Sequence, residues 1–337
     1  MSNSDNKERI RALNNVMYDF ELSAVESELD ELISDTATLQ YGYPFEQLAN
    51  KQSLISDLYQ PLLHAIPDLE KRTYISMGGE ANGQQWVGCA GYYTGRFLEP
   101  WLDIPPTGHQ VSMRFHEFYR FESGKVVEVQ ALWDIPELMM QANAWPMTPS
   151  LGREWHPPAP ATLDGIVGRT NATQADTSLT IVSEMLNGLS KHAQGGVEAM
   201  NLDAFWHPKM SWYGPSGIGT GRGISGFRNW HQIPFLNALP DRRTKEGNGY
   251  LFADNNYVAF TAWPGMEMTV SGSGWLGIAP SNQNITMRSL DFWRVEGDKI
   301  RENWVLVDLL DVYHQLGVDV FARMKEINKA RYRQFER

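Results

Sequence analysis

A single cysteine, Cys89, stands among the 337 residues. That excludes an intrachain disulfide and any metal site built on clustered cysteines. Cys89 is read as a small buried hydrophobe. Basic residues are in deficit: 29 Lys and Arg against 40 Asp and Glu leave a formal net charge of −11. Neither nucleic acid nor an anionic membrane is an expected partner, since both call for basic patches. No run of 18 apolar residues occurs, and the opening Met-Ser-Asn-Ser-Asp-Asn-Lys-Glu lacks the apolar centre of a signal segment. The expectation is a soluble, cytoplasmic protein whose residues 1–8 form a disordered tail. Its eight histidines show no His-x-His or His-Glu-x-x-His spacing, so no metal is expected.

Apolar and aromatic residues, at 42% and 12%, are ample for two cores. The sequence also repeats itself. Residues 101–134 align with 275–308 without a gap, 174 positions apart, and thirteen of the 34 pairs are identical. They include Trp101 with Trp275, Met113-Arg114 with Met287-Arg288, Phe118 with Phe292, Glu128 with Glu302 and Asp134 with Asp308. Further upstream, "PLLHAIPD" (61–68) matches "PFLNALPD" (234–241) at an offset of 173. A period near half the chain length indicates a duplicated domain. Pro146, Pro149, Pro157, Pro158 and Pro160 mark an extended linker between the copies. The expected division is a first domain over 9–145, a Pro-rich linker over 146–175 and a second domain over 176–330.

Within the repeat, residues 285–295 are rich in β-branched and aromatic side chains, Glu296 to Lys299 read as a turn, and Ile300 to Val307 form a second strand. Alternation places Met287, Ser289, Asp291 and Trp293 on one face, and Glu302, Trp304, Leu306 and Asp308 on one face of the partner strand. The first copy gives Glu117 with Met113, and Gln130 with Asp134, by the same parity. Helices are expected over residues 10–33, 54–65, 177–192, 197–205 and 224–238 and from about 318, with strands over 86–93 and 250–263. A carboxyl among apolar side chains has a raised pKa, which suits it to proton transfer near neutrality.

The hairpin Asp291-Phe-Trp-Arg, its Gly-Asp-Lys turn and "ENWVLVD" resemble the C-terminal hairpin of SnoaL-like polyketide cyclases, of the nuclear transport factor 2-like superfamily. "WYGPSGIG" (212–219) and "HQIPFLNALPD" (231–241) resemble the same family. The resemblance covers most of 176–325 and, more weakly, 10–145. It implies an α+β fold of two tandem cystatin-like, or nuclear transport factor 2-like, cones, each a curved antiparallel sheet with covering helices. It implies that a cavity aspartate on the hairpin acts as general acid/base, and that an acid at the position of Asp291, as in ketosteroid isomerases of the superfamily, stays protonated and hydrogen-bonds an enolate oxygen.

The expected catalytic set is Asp308 as acid/base with Asp291 orienting it and His231 carrying protons near neutral pH. Asp308 has a second reading as a helix N-cap. Trp212, Tyr213, Met287, Trp304 and Trp263 are candidates to bind a planar substrate, with plain core packing as their alternative. Glu117, Gln130 and Asp134 mark a second site in the first copy. Glu128 and Glu302 are read as structural partners of Arg120 and Arg294. The glycine-rich run from Gly214 to Gly223 lacks a phosphate-loop ending. The function expected is a cofactor-independent cyclase or isomerase of the SnoaL-like kind, working by enolate chemistry on a small aromatic or polyketide-like carbonyl compound in the second domain. The alternatives are a non-catalytic small-molecule binder and an interaction module of the same fold. The expected partner is a small hydrophobic or aromatic ligand; a homodimer is left open.

Overall fold

A computed structural model describes residues 3–189 and 191–332. In the first half, α1 (Asn3–Asp19) and α2 (Leu22–Leu32) lead into β1 (Ile33–Tyr41) and β2 (Gln47–Leu48). A π-helical turn (Leu54–Tyr59) then runs into α3 (Gln60–Ala65), followed by β3 (Glu70–Ala81), β4 (Gln84–Arg96), β5 (Gln110–Glu122), β6 (Lys125–Trp133) and α4 (Ile135–Gln141). The second half repeats this plan. It comprises α5 (Ala172–Leu189), α6 (His192–Ala199), β7 (Trp206–Tyr213), β8 (Thr220–Arg222) and α7 (Gly223–Phe227). A second π-helical turn (Arg228–Gln232) leads to α8 (Ile233–Ala238). Next come β9 (Arg243–Thr244), β10 (Gly249–Asp254), β11 (Tyr257–Thr269), β12 (Asn284–Glu296), β13 (Lys299–Val307), α9 (Leu309–Gln315) and α10 (Val320–Tyr332).

Among the described residues the sheets run β2-β1-β6-β5-β4-β3 and β10-β11-β12-β13-β7-β8. They are antiparallel except that β1 joins β6, and β7 joins β13, in parallel. The expected antiparallel sheets are therefore mixed: in each half the first strand is joined in parallel by the last, β6 or β13. The repeated hairpins are β5–β6 and β12–β13. Strands β1 and β3 carry no clear strand signal in the sequence, because Ser, Asp, Lys and Arg interrupt their apolar pattern.

Residues 3–8, expected as a disordered tail, are the first turns of α1; Met1 and Ser2 lie outside the described residues. Two of the polar residues there, Asn6 and Lys7, are buried rather than solvated. Lys7 is buried, pairs with Asp254 of the second half at 2.7 Å and donates to the Gly168 carbonyl at 2.8 Å. The helix expected over 197–205 begins earlier, as α6, and Ser190 of the preceding expected helix lies outside the described residues. Helix α5 starts at Ala172, inside the stretch expected as linker. The glycine-rich run packs against that linker: a Cβ at Gly219, whose φ is +84°, would stand 2.5 Å from the Gly152 carbonyl carbon.

Each sheet has an inner face toward its own helices and an outer face, and the two outer faces pack on each other. Trp86, Phe118 and Leu132 meet Phe252, Phe292, Trp304 and Leu306 in one buried cluster. Repeat-related residues face one another across it. The Phe118 and Phe292 rings lie 5.1 Å apart, and His116 Nδ1 is 2.6 Å from the carbonyl oxygen of Leu290, its own counterpart. Burial holds His116 neutral, with its pKa lowered to about 3. The reciprocity is that of an isologous interface inside one chain. Gly88 marks its closest approach: a Cβ there would meet Phe292 at 3.0 Å and Phe118 at 3.1 Å. Gly88→Val is expected to cost about 1–3 kcal/mol through overpacking. Thermal unfolding checks this, and a Tm equal to wild type would mean that the sheets slide apart without loss.

Candidate functional site

The inner face of the second sheet carries Asp291 at the middle of β12, opposite Phe260 of β11 and Val305 of β13. Met287, four residues before it, and Trp293, two after, point to the same inner core, whereas Leu290 and Phe292 point to the sheet–sheet interface. The Asp291 side chain is partly buried, and its Oδ1 is shielded from solvent with no hydrogen-bond partner. A desolvated carboxylate without a cation or donor is costly, so the proton is retained. Burial raises the Asp291 pKa well above the ordinary carboxylate range.

His231 reaches the same interior from the π-helical turn. Its ring stacks on Trp212 of β7, centroids 4.1 Å apart and planes 12° from parallel, with Phe227 and Phe235 at 5.6 and 5.4 Å. Its Nδ1 is buried and unpartnered. Burial lowers its pKa to about 3, so the imidazole is neutral at physiological pH. The expectation of a histidine titrating near neutrality is corrected accordingly. The neighbouring Gln232 leaves Oε1 unpartnered as well.

Asp308 lies elsewhere. It caps α9, accepting from the backbone N–H of Asp311 at 3.2 Å, and also accepts from the Tyr43 N–H of the first half at 2.9 Å and from Arg288 at 3.1 Å. The N-cap geometry is met, and the small pocket beside Asp308 lies between the halves, lined by Tyr43, Asp134 and Ser216. Burial raises its pKa to about 7 against the pull of Arg288. Its repeat partner Asp134 does the mirror-image job. Asp134 caps α4, accepts from the Ser216 N–H of the second half at 3.0 Å and pairs with Arg114 at 2.8 Å. Both aspartates fasten one half to the other.

The expected binding residues divide the same way. Trp212 and Met287 are on the inner side, but Trp212 is covered by His231. Tyr213 and Trp304 belong to the interface, their rings 5.3 Å apart. Tyr213 donates to Glu302, and Trp304 Nε1 donates to the Pro158 carbonyl of the linker. Trp263 lies 4.9 Å from the Arg288 guanidinium. Gln130, expected beside Glu117, is on the opposite face and bonds Thr261 across the interface. Glu302 pairs with Arg294 at 2.5 Å and Glu128 with Arg120 at 2.8 Å, the structural partnerships expected of them.

Glu117 occupies the position of Asp291 in the first cone, with an opposite environment. It pairs with Lys71 at 2.6 Å, both side chains fully buried, and accepts from Tyr119 at 2.6 Å, Tyr93 at 2.9 Å and Trp133 at 3.2 Å. Burial works to raise its pKa, but the Lys71 ammonium and these donors overcome it and hold the pKa below the usual value. Tyr41, Tyr59 and Phe115 fill the remaining space around this cage. At the repeat positions of Tyr119 and Trp133 the second half has Trp293 and Val307, which offer Asp291 no such bond. That difference was legible in the sequence. Lys71 was not, because "EKRTY" reads as a solvated run.

Two mixed sheets wrapped by helices and joined face to face define a tandem nuclear transport factor 2-like protein. The family model for SnoaL-like polyketide cyclase matches twice, over residues 24–142 and 196–316, and the chain belongs to that family. Among solved structures it is similar to AclR from Streptomyces galilaeus, at 20% identity over 42% of this chain and 87% of that one, with a TM-score of 0.36. It is also similar to a SnoaL-like polyketide cyclase from Agrobacterium tumefaciens, at 19% identity over 40% and 96% with a TM-score of 0.32, and to IdmH from Streptomyces antibioticus, at 17% over 41% and 98% with a TM-score of 0.34. No functionally curated protein matches the chain. No helix among the described residues is long and apolar enough to cross a membrane.

Proposed function

We propose that the chain is a cyclase or isomerase acting on a small aromatic or polyketide-like carbonyl compound, with its chemistry in the second cone. The observation that carries this reading is the Asp291 carboxyl on the inner face, whose Oδ1 is buried without a partner. The first cone supports the choice of the second by contrast, since Glu117 there is saturated with donors.

The roles differ from those expected of the sequence. Asp291, protonated, donates to the carbonyl oxygen of the substrate. The neutral His231 accepts the proton from the α-carbon as the C–H bond breaks and its electron pair moves into the enolate. The negative charge forming on the oxygen raises the basicity of the imidazole beside it. In ring closure the enolate carbon attacks a second carbonyl of the same molecule, and the new alkoxide takes the proton back from His231. In isomerisation the proton returns to a different carbon. Stacking on Trp212 fixes the plane of the imidazole.

The pH dependence follows from the two shifts. Asp291 must keep its proton, and burial raises its pKa, so activity persists above the ordinary carboxylate range and falls as pH rises through that raised pKa. His231 must be neutral, which fails only near pH 3. A rate profile with a single falling limb on its high-pH side is expected. The discriminating measurement is kcat/KM against pH, beside a carboxyl-carbon NMR titration of Asp291. A break near 7 that moves in Asp308→Asn would return the chemistry to Asp308. An Asp291 signal titrating in the normal carboxylate range would remove the acid from this mechanism.

A further inference from the structure

A cleft of about 380 Å³ opens between α1, the edge strand β3 and the linker. Lys71 forms its deep wall, and behind Lys71 the Glu117 cage closes the first cone. The third wall exists because the linker pairs with β3. Ser76 N–H donates to the Gly165 carbonyl at 2.8 Å, and Val167 N–H donates to the Ser76 carbonyl at 2.9 Å. A single cone has no such wall.

The lining is cationic in an acidic chain: Lys7, Arg11, Lys71 and Arg72 stand against one acid, Glu8. The two lysines are held in place by Asp254 at 2.7 Å and Glu117 at 2.6 Å, with all four side chains buried. The two arginines are paired at the surface instead, Arg72 through both Nε and Nη2. Arg11 pairs with Glu8 at 3.2 Å and Arg72 with Glu70 at 2.6 Å, but these side chains are exposed, Arg11 by 57% and Arg72 by 44%. Water screens such pairs to small energies, so either guanidinium can turn into the cleft. Two polar atoms of the lining, Asn14 Oδ1 and Thr73 Oγ1, are buried without a partner. At the mouth Tyr18 and Ile166 expose apolar surface, 49% and 46% of each residue.

We propose that this cleft binds a small organic anion, a carboxylate carried on an apolar ring or chain. Arg72 and Arg11 take the carboxylate through their planar N–H pairs, the geometry in which arginine recognises that group. The Thr73 hydroxyl donates to it. Tyr18 and Ile166 cover the apolar body. The volume is within the range of small-molecule sites. The site is distinct from Asp291 and independent of the chemistry proposed there.

The test is a calorimetric titration of the full chain with 2-naphthoate, with 2-acetylnaphthalene as the neutral control of the same shape. Naphthoate is expected to bind more tightly than the ketone and to weaken as salt is added. Arg11→Ala/Arg72→Ala is expected to lose at least tenfold in affinity. Ile166→Asp, which sets a negative charge at the mouth, is expected to lose as much. Asp291→Asn is expected to leave binding unchanged. All three altered cleft side chains are exposed, and thermal unfolding confirms that the variants fold. Absent binding, equal binding of the ketone, or affinity untouched by both cleft variants would overturn the proposal. Loss of naphthoate binding in Asp291→Asn alone would place the probe in the second cone and overturn it equally.

Discussion

Asp291→Ala is expected to lower the rate by about 10²–10⁴-fold, the range that a positioned proton donor supplies, with the fold intact. The readout is deuterium incorporation α to the carbonyl of a simple aryl ketone such as 2-tetralone, which follows enolisation without knowledge of the natural substrate. Asp291→Asn keeps an N–H donor at the same place and is expected to retain more activity than the alanine variant. The two substitutions have a second, opposite consequence. Oδ1 of Asp291 is buried with nothing to bond, so removing the carboxyl relieves a desolvation cost. Tm is expected to hold or rise. Activity falling while stability does not is the behaviour of a residue kept for chemistry rather than for packing. Unchanged exchange in Asp291→Ala would leave a binding protein of the same fold as the better account.

Lys71→Met is expected to destabilise by about 3–5 kcal/mol, because it strands the Glu117 charge in a dry interior. Glu117→Gln strands the Lys71 charge and is expected to cost a similar amount. The double variant Lys71→Met/Glu117→Gln is expected to cost much less than the sum, since a neutral pair needs no counter-charge. Urea unfolding of the three variants measures the cycle. The tyrosine hydroxyls sharpen the prediction. Tyr93 and Tyr119 both donate to Glu117, and they lose a charged acceptor in Glu117→Gln. Single variants costing under about 1 kcal/mol would mean that water reaches the pair, and that the first cone is open to ligand after all.

These two carboxyls show where the sequence was sufficient and where it was not. Glu117 and Asp291 occupy equivalent places, and the 174-residue offset alone aligns them. The loss of Tyr119 and Trp133 as donors, replaced by Trp293 and Val307, is also plain in the alignment. The fourth partner, Lys71, comes from a strand with no counterpart pattern, brought in by β3–β4–β5 pairing that is remote in the chain. Asp308 had both readings open. The local pattern of a strand followed by Leu309-Leu310-Asp311 supplied the cap, and only the neighbouring Tyr43 and Arg288 showed that its second oxygen was engaged.

The duplication, the hairpin and its turn, and the family were determined by the sequence itself, because each rests on local residue types and on a period that survives in the text of the chain. Alternation along β12 and β13 likewise fixed which residues share a face. It could not fix which face is the interior. A strand buried on both sides carries apolar residues at every position, so Trp304 and Tyr213 look as fit for a cavity as Trp293. The packing of one sheet on the other decided it, by covering Phe118, Phe292 and Trp304 and leaving Asp291 to the helices. Burial of that kind depends on groups far apart in the chain, and it sets which carboxyl keeps its proton.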